Sequence, residues 1–175
     1  MDVNIARLIE TVILICAIWA LFFLSAFLHE LGHAIAYRIA TGGRDGHIRV
    51  GSGQFLLNTK RLTVKLLPYD GCFTPPEESR IDTAAKRIAT LAGGPAVSLI
   101  LVVLLLVLKF GGISLDSEVI TASAIDTLIT CALSINAFTL VMSLLPTHYF
   151  HGEIKGMETD GLQIIRAVRE RGNKS

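Results

Sequence analysis

The chain has 175 residues, 51% of them hydrophobic and 18% charged, with a net charge of +1 and a mean hydropathy of +0.57. This is too apolar for an ordinary soluble domain, and a near-neutral chain offers no bulk field for nucleic acid. The length allows a single membrane domain, residues 1–175, with no large second domain. Three cysteines, Cys16, Cys72 and Cys131, are scattered between apolar blocks and a polar loop, so they suggest neither a disulfide framework nor a cysteine metal site.

The first predicted element is a long apolar helix over about residues 9–39. Thr11 to Leu28 is eighteen residues without a charge, and the whole stretch would span roughly 45 Å against a hydrocarbon core of roughly 30 Å. At its end stands His29-Glu30-Leu31-Gly32-His33. The apolar block is too long for a signal-peptide core, and cleavage near Ser25-Ala26-Phe27 would sever the His-Glu-His group from its helix, so a retained transmembrane helix is expected. Histidines at i and i+4 lie on one helix face, one turn apart. That spacing suits two imidazoles holding one Zn²⁺, with Glu30 as general base for a metal-bound water. An unpaired His-Glu-His group in lipid would be costly, which argues against two idle histidines.

Next comes a polar stretch with strand character, over residues 44–68. Gly46-His47-Ile48-Arg49-Val50 and Leu62-Thr63-Val64-Lys65-Leu66 alternate apolar and polar residues, and Asn58-Thr59-Lys60-Arg61 reads as a turn. A small antiparallel sheet at the membrane surface is expected, with His47 exposed on a strand. Thr74-Pro75-Pro76 breaks the chain before a second apolar helix over 88–108, twenty-one residues without a charge. A third spans 127–146, twenty residues without a charge. The tail, 160–172, places Leu162, Ile164, Ile165 and Val168 among basic residues, as an amphipathic helix on an anionic leaflet would. The expected fold is therefore an all-α membrane protein: a three-helix transmembrane core with a small β-hairpin or sheet between helices 1 and 2.

Of sixteen Lys and Arg, only Arg7 and Lys109 would lie outside if the N-terminus is external. The other fourteen fall in 38–87 and after Pro146, which predicts N-out, C-in in the plasma membrane. In that orientation His29 and His33, Gly93-Gly94-Pro95 and Ser143-Leu144-Leu145-Pro146 all lie in the cytoplasmic half of the bilayer. Irregular or polar elements are tolerated there when they are buried in protein or line a wet cavity.

On these residues the sequence resembles the site-2 protease family of membrane-embedded zinc metalloproteases, over roughly residues 12 to 165. His29-Glu30-Leu31-Gly32-His33-Ala34 is similar to that family's zinc helix. Ile48-Arg49-Val50-Gly51-Ser52-Gly53 with Leu67-Pro68-Tyr69-Asp70-Gly71 resembles its hairpin region, and Ala92-Gly93-Gly94-Pro95-Ala96-Val97-Ser98 its Ala-Gly-Pro-x-x-Asn segment. Ser143-Leu144-Leu145-Pro146 with Asp160-Gly161 resembles its Asn-x-x-Pro…Asp-Gly segment. The resemblance implies cleavage of peptide bonds in or near transmembrane segments, Zn²⁺ as cofactor, and an aspartate as third ligand.

The chain departs from the family pattern in two places. Ser98 and Ser143 stand where the family has asparagines implied to hold the substrate strand or polarise its carbonyl. Those two serines are the substrate or oxyanion candidates, together with Asn136, which sits two turns before Ser143 and either faces the same cavity or makes an interhelical hydrogen bond. The family's Asp-Gly slot holds His151-Gly152, and Asp160-Gly161 comes nine residues later. Asp160 is the preferred third ligand because Glu158-Thr159-Asp160-Gly161-Leu162 reads as a carboxylate opening a new helix. His151 is the alternative, since imidazole also suits zinc. His148 reads as a loop residue near the membrane surface.

The expected function is an intramembrane zinc metalloprotease whose partners are the bilayer and a transmembrane or membrane-associated protein or peptide. The 46–67 sheet would receive an unwound strand by edge addition or serve as a structural cap. Competing readings are a membrane-anchored zinc peptidase for short peptides and an inactive scaffold that binds partner helices. A zinc transporter is disfavoured, because three spans without further intramembrane carboxylates make a poor ion path.

Overall fold

The computed structural model describes residues 3–44, 46–76, 80–111, 119–150 and 152–172. Four helices and a hairpin run in the order α1 (Val3–Thr41), β1 (His47–Asn58), β2 (Leu62–Thr74), α2 (Ala84–Phe110), α3 (Val119–Leu144) and α4 (Asp160–Gly172). Three helices contain stretches long and apolar enough to cross a membrane: Ile5–Thr41, Ala84–Phe110 and Ser123–Leu144. The expected helical core with a two-stranded sheet between helices 1 and 2 is what the chain forms.

Burial along α1 changes character at Ser25. Before it, apolar side chains such as Ile9, Ile13 and Ile15 stand exposed all round the helix, the pattern of a surface whose solvent is lipid. From there on, Ser25, His29, His33 and Tyr37 are buried at intervals of four residues. This stripe faces a matching one on α2, where Thr90, Gly94 and Ser98 are buried at the same interval. The two helices touch backbone to backbone where Gly32 meets Gly93, since a Cβ on either would collide with the carbonyl of the other. Small residues let helices approach this closely where no hydrophobic effect drives them together. Pro95 sits inside α2 two residues past Gly93, so the helix lacks an N–H at the site-facing turn.

α3 closes the bundle. Asn136 Nδ2 donates to Ser25 Oγ of α1 at 3.0 Å and to the Ala132 carbonyl at 2.8 Å. At the far end Lys109 of α2 pairs with Asp126 at 2.9 Å. α4 covers the end of α2, with Ala167 fully buried and Arg87 facing Glu170 at 3.8 Å.

The sheet runs further than the sequence pattern suggests. β2 continues through Pro68 and Gly71 to Thr74, and its second half returns along β1. Ile48 therefore faces Leu62 on one side and Phe73 on the other. Pro68 and Gly71 look like breaks in a linear reading, but here they lie in a bent strand with repeated register shifts. This bend carries Gly71 onto the Glu30 carboxylate, where a Cβ would meet Oε1 at 2.6 Å.

Candidate metal centre

His29 and His33 are pinned from behind at Nδ1. His33 Nδ1 lies 2.9 Å from the Thr90 carbonyl oxygen. A carbonyl only accepts, so Nδ1 is assigned the proton and Nε2 presents a lone pair. His29 Nδ1 lies 2.9 Å from Ser98 Oγ, and Ser98 is fully buried. A hydroxyl can accept from Nδ1–H, and in that tautomer the His29 Nε2 lone pair also points inward. The two Nε2 atoms are 3.3 Å apart. Gly94 sits against them, where a Cβ would come within 2.6 Å of His29 Nε2.

Asp160 completes the group. Its Oδ2 is 3.5 Å from His29 Nε2 and 3.4 Å from His33 Nε2, and all three residues are buried. After α3 ends at Leu144 the chain folds back as a short turn. Thr159 N donates to Thr147 O at 3.0 Å and Tyr149 N to Met157 O at 2.9 Å. Thr159 is fully buried and caps α4, with its Oγ1 accepting from Leu162 N at 3.4 Å. Asp160 is thereby fixed in the first turn of α4, where the helix N-terminus favours an anion. Burial alone would raise its pKa, but in the metal-free site a proton carried at Nε2 of either imidazole donates to the carboxylate, and that hydrogen bond and charge outweigh burial and hold the carboxyl below the usual carboxylate range.

The donor set fits a metal ion. Zinc bonds of roughly 2.0–2.1 Å in a tetrahedral shell set ligand atoms roughly 3.3 Å apart. The three observed separations match the edges of one such face. Three electron-rich atoms converging in a buried space need a proton or a cation among them, and one proton can serve only one of the three pairs.

Glu30 follows His29 in the chain and is also buried. It lines two cavities, of about 490 Å³ and about 440 Å³, which both reach His29, Gly71, Tyr149 and Ile154. A polar network holds the hairpin over them. Arg49 donates to Asp70 Oδ1 at 2.8 Å, Asp70 Oδ2 accepts from Glu153 N at 2.8 Å, and Lys65 pairs with Glu153 at 2.6 Å. Tyr149 stands between the cavities, its phenol pKa raised by burial and then by the Asp160 and Glu30 carboxyls, so it remains a neutral donor there.

The other sequence candidates fall at varied distances from this centre. Ser98 sits behind His29 and lines neither cavity. Asn136 makes the interhelical bond to Ser25, and its Oδ1 is buried without a partner among the described residues. Ser143 lines the smaller cavity while its hydroxyl donates to Leu140 O at 3.1 Å. His47 is half-buried against Thr63 at 3.0 Å, and His148 is exposed in a bridge with Glu158. His151 lies outside the described residues. Cys72 is on β2 and lines the larger cavity, and all three cysteines are free. Sequence reasoning missed Thr90, whose backbone carries no side-chain signal, and Tyr149. It also missed the role of Gly94, although the four-residue spacing of Thr90, Gly94 and Ser98 would have marked one helix face.

The model of peptidase family M50 matches residues 17–155, from within α1 to the return turn and short of Asp160. No curated protein and no solved structure gives a significant match.

Proposed function

The chain belongs to peptidase family M50, the site-2 protease family, and from that premise we propose that this membrane metallopeptidase is an intramembrane zinc endopeptidase acting on bonds in or near transmembrane segments. The observation that carries the proposal is the set of three buried donors at tetrahedral separations, with a buried glutamate beside them, on helices of membrane-spanning length. His29, His33 and Asp160 would hold the ion. Zinc in such a shell supplies Lewis-acid polarisation and acidifies water toward neutrality. Glu30 takes the proton of the attacking water and returns it to the leaving amine. Ser98 and the Thr90 carbonyl keep both imidazoles aimed, and Tyr149 offers a hydrogen bond to a carbonyl oxygen that gains charge. The basic residues on one side favour an N-out orientation with the site toward the cytoplasm, in the plasma membrane.

A second reading, a membrane-anchored peptidase for short soluble peptides, draws on the larger cavity, which includes Arg87, Glu158 and Gln163. Both readings predict that Glu30→Gln keeps one zinc per chain and loses at least ~10²-fold in turnover. Cleavage of a detergent-solubilised transmembrane peptide, with zinc content measured alongside, tests this. A zinc-loaded Glu30→Gln protein cutting at the parent rate would refute the protease reading.

A further inference from the structure

The two cavities that meet at His29 and Glu30 differ in character. The larger is bordered by charged and polar groups, among them Arg87, Glu158 and Gln163. The smaller lies between α1 and α3 and is walled by Phe22 and Ala26 on one side and Ile135, Phe138 and Met142 on the other. The α3 hydroxyls on that wall are spent on α3 itself: Thr139 Oγ1 donates to Ile135 O at 2.9 Å and Ser143 Oγ to Leu140 O at 3.1 Å. Asp70 also reaches this cavity, but its two oxygens are taken by Arg49 and the Glu153 amide. Away from His29, Glu30 and Tyr149 at its inner end, the surface left to an occupant is therefore apolar. Phe138 and Phe22 are themselves exposed at the lip, 66% and 39%, and both belong to helices apolar enough to span a bilayer.

We propose that the cavity between α1 and α3 is a specificity pocket for one bulky apolar side chain of the substrate, on a residue flanking the scissile bond. The inference rests on the protease reading above. Continuity decides the occupant: the cavity wall includes His29 and Glu30, so whatever fills it lies beside the reacting carbonyl. A peptide strand crossing the site would carry an apolar residue toward α3 and polar residues toward Arg87 and Gln163. A volume of about 440 Å³ is within the range of ligand pockets and holds a Leu, Met or Phe side chain.

The test uses the zinc-loaded full chain in detergent and fluorogenic peptides that differ only in Leu, Phe, Ala or Asp at each position flanking the cut. At one of the two positions the parent should prefer Leu or Phe over Ala by at least ~10-fold in kcat/KM, and reject Asp. Met142→Trp fills the pocket from α3 and Ala26→Leu fills it from α1. Each should reduce that ratio to about one or invert it, with zinc content and melting temperature retained. If neither variant folds, the parent's own ratio decides. A parent indifferent to side-chain size, or variants that slow all peptides by one factor, would overturn the pocket and leave the protease reading standing. Added phospholipid that slows Leu and Ala peptides equally, and ceases to do so in Met142→Trp, would assign the cavity to an acyl chain instead. A parent no faster than Glu30→Gln on every peptide would overturn both.

Discussion

Ser98→Ala isolates one half of the candidate metal centre. His33 is held by a backbone carbonyl, which no side-chain substitution removes, whereas His29 depends on the Ser98 hydroxyl at 2.9 Å. Ser98 is fully buried, so water cannot readily replace the lost oxygen. His29 Nδ1–H is then left without an acceptor, which costs about 1–3 kcal/mol. In the apo protein the ring can relieve this by turning, but a metal-bound ring cannot. Most of the cost therefore falls on the bound state, and zinc affinity should drop about 10- to 100-fold, the usual effect of removing such a partner. Competition against a chromogenic chelator, with parent and variant in the same micelles, measures the ratio. Ser143→Ala removes a hydroxyl of the same size that contacts neither histidine, and should leave zinc affinity within about twofold. The reasoning fails if folded Ser98→Ala binds zinc as the parent does. Unchanged zinc with lost cleavage would instead return Ser98 to the substrate-holding role that its place in the family pattern implies.

Two further expectations concern the third ligand and the topology. Asp160→Ala should lower zinc affinity by at least ~10²-fold, because a buried anionic oxygen partly neutralises the dication, while His151→Ala should change it little; metal content of the two proteins reverses the assignment if the losses are exchanged. The charge asymmetry predicts that a single cysteine introduced at Lys60, in an otherwise cysteine-free chain, is labelled only after the cells are opened; labelling from outside intact cells would refute the N-out orientation.

The sequence by itself determined the parts that depend on local periodicity and on solvent. Charge-free blocks of eighteen to twenty-one residues can only be satisfied by helices in lipid, so the three spans were legible, and so was the hairpin through its alternation. That His29 and His33 share one face was legible because an i, i+4 pair lies on one side of a helix whatever surrounds it. Asp160 opens α4 as its carboxylate-then-helix pattern suggests. Only the tertiary structure decided what those faces meet. The contact of His29 with Ser98 spans 69 residues and that of Asn136 with Ser25 spans 111, and no local pattern encodes a partner at such a distance. The same holds for β2, which runs through Pro68 and Gly71 because its second half has β1 to pair with, and for Gly94, which must lack a Cβ because two imidazoles occupy that space. Asp160 reaches the histidines because the return turn pairs Thr147 with Thr159 and Tyr149 with Met157. Helix identity is set by each segment's own composition, but convergence of three donors depends on how the helices cross, and crossing is set by contacts between residues remote in the chain.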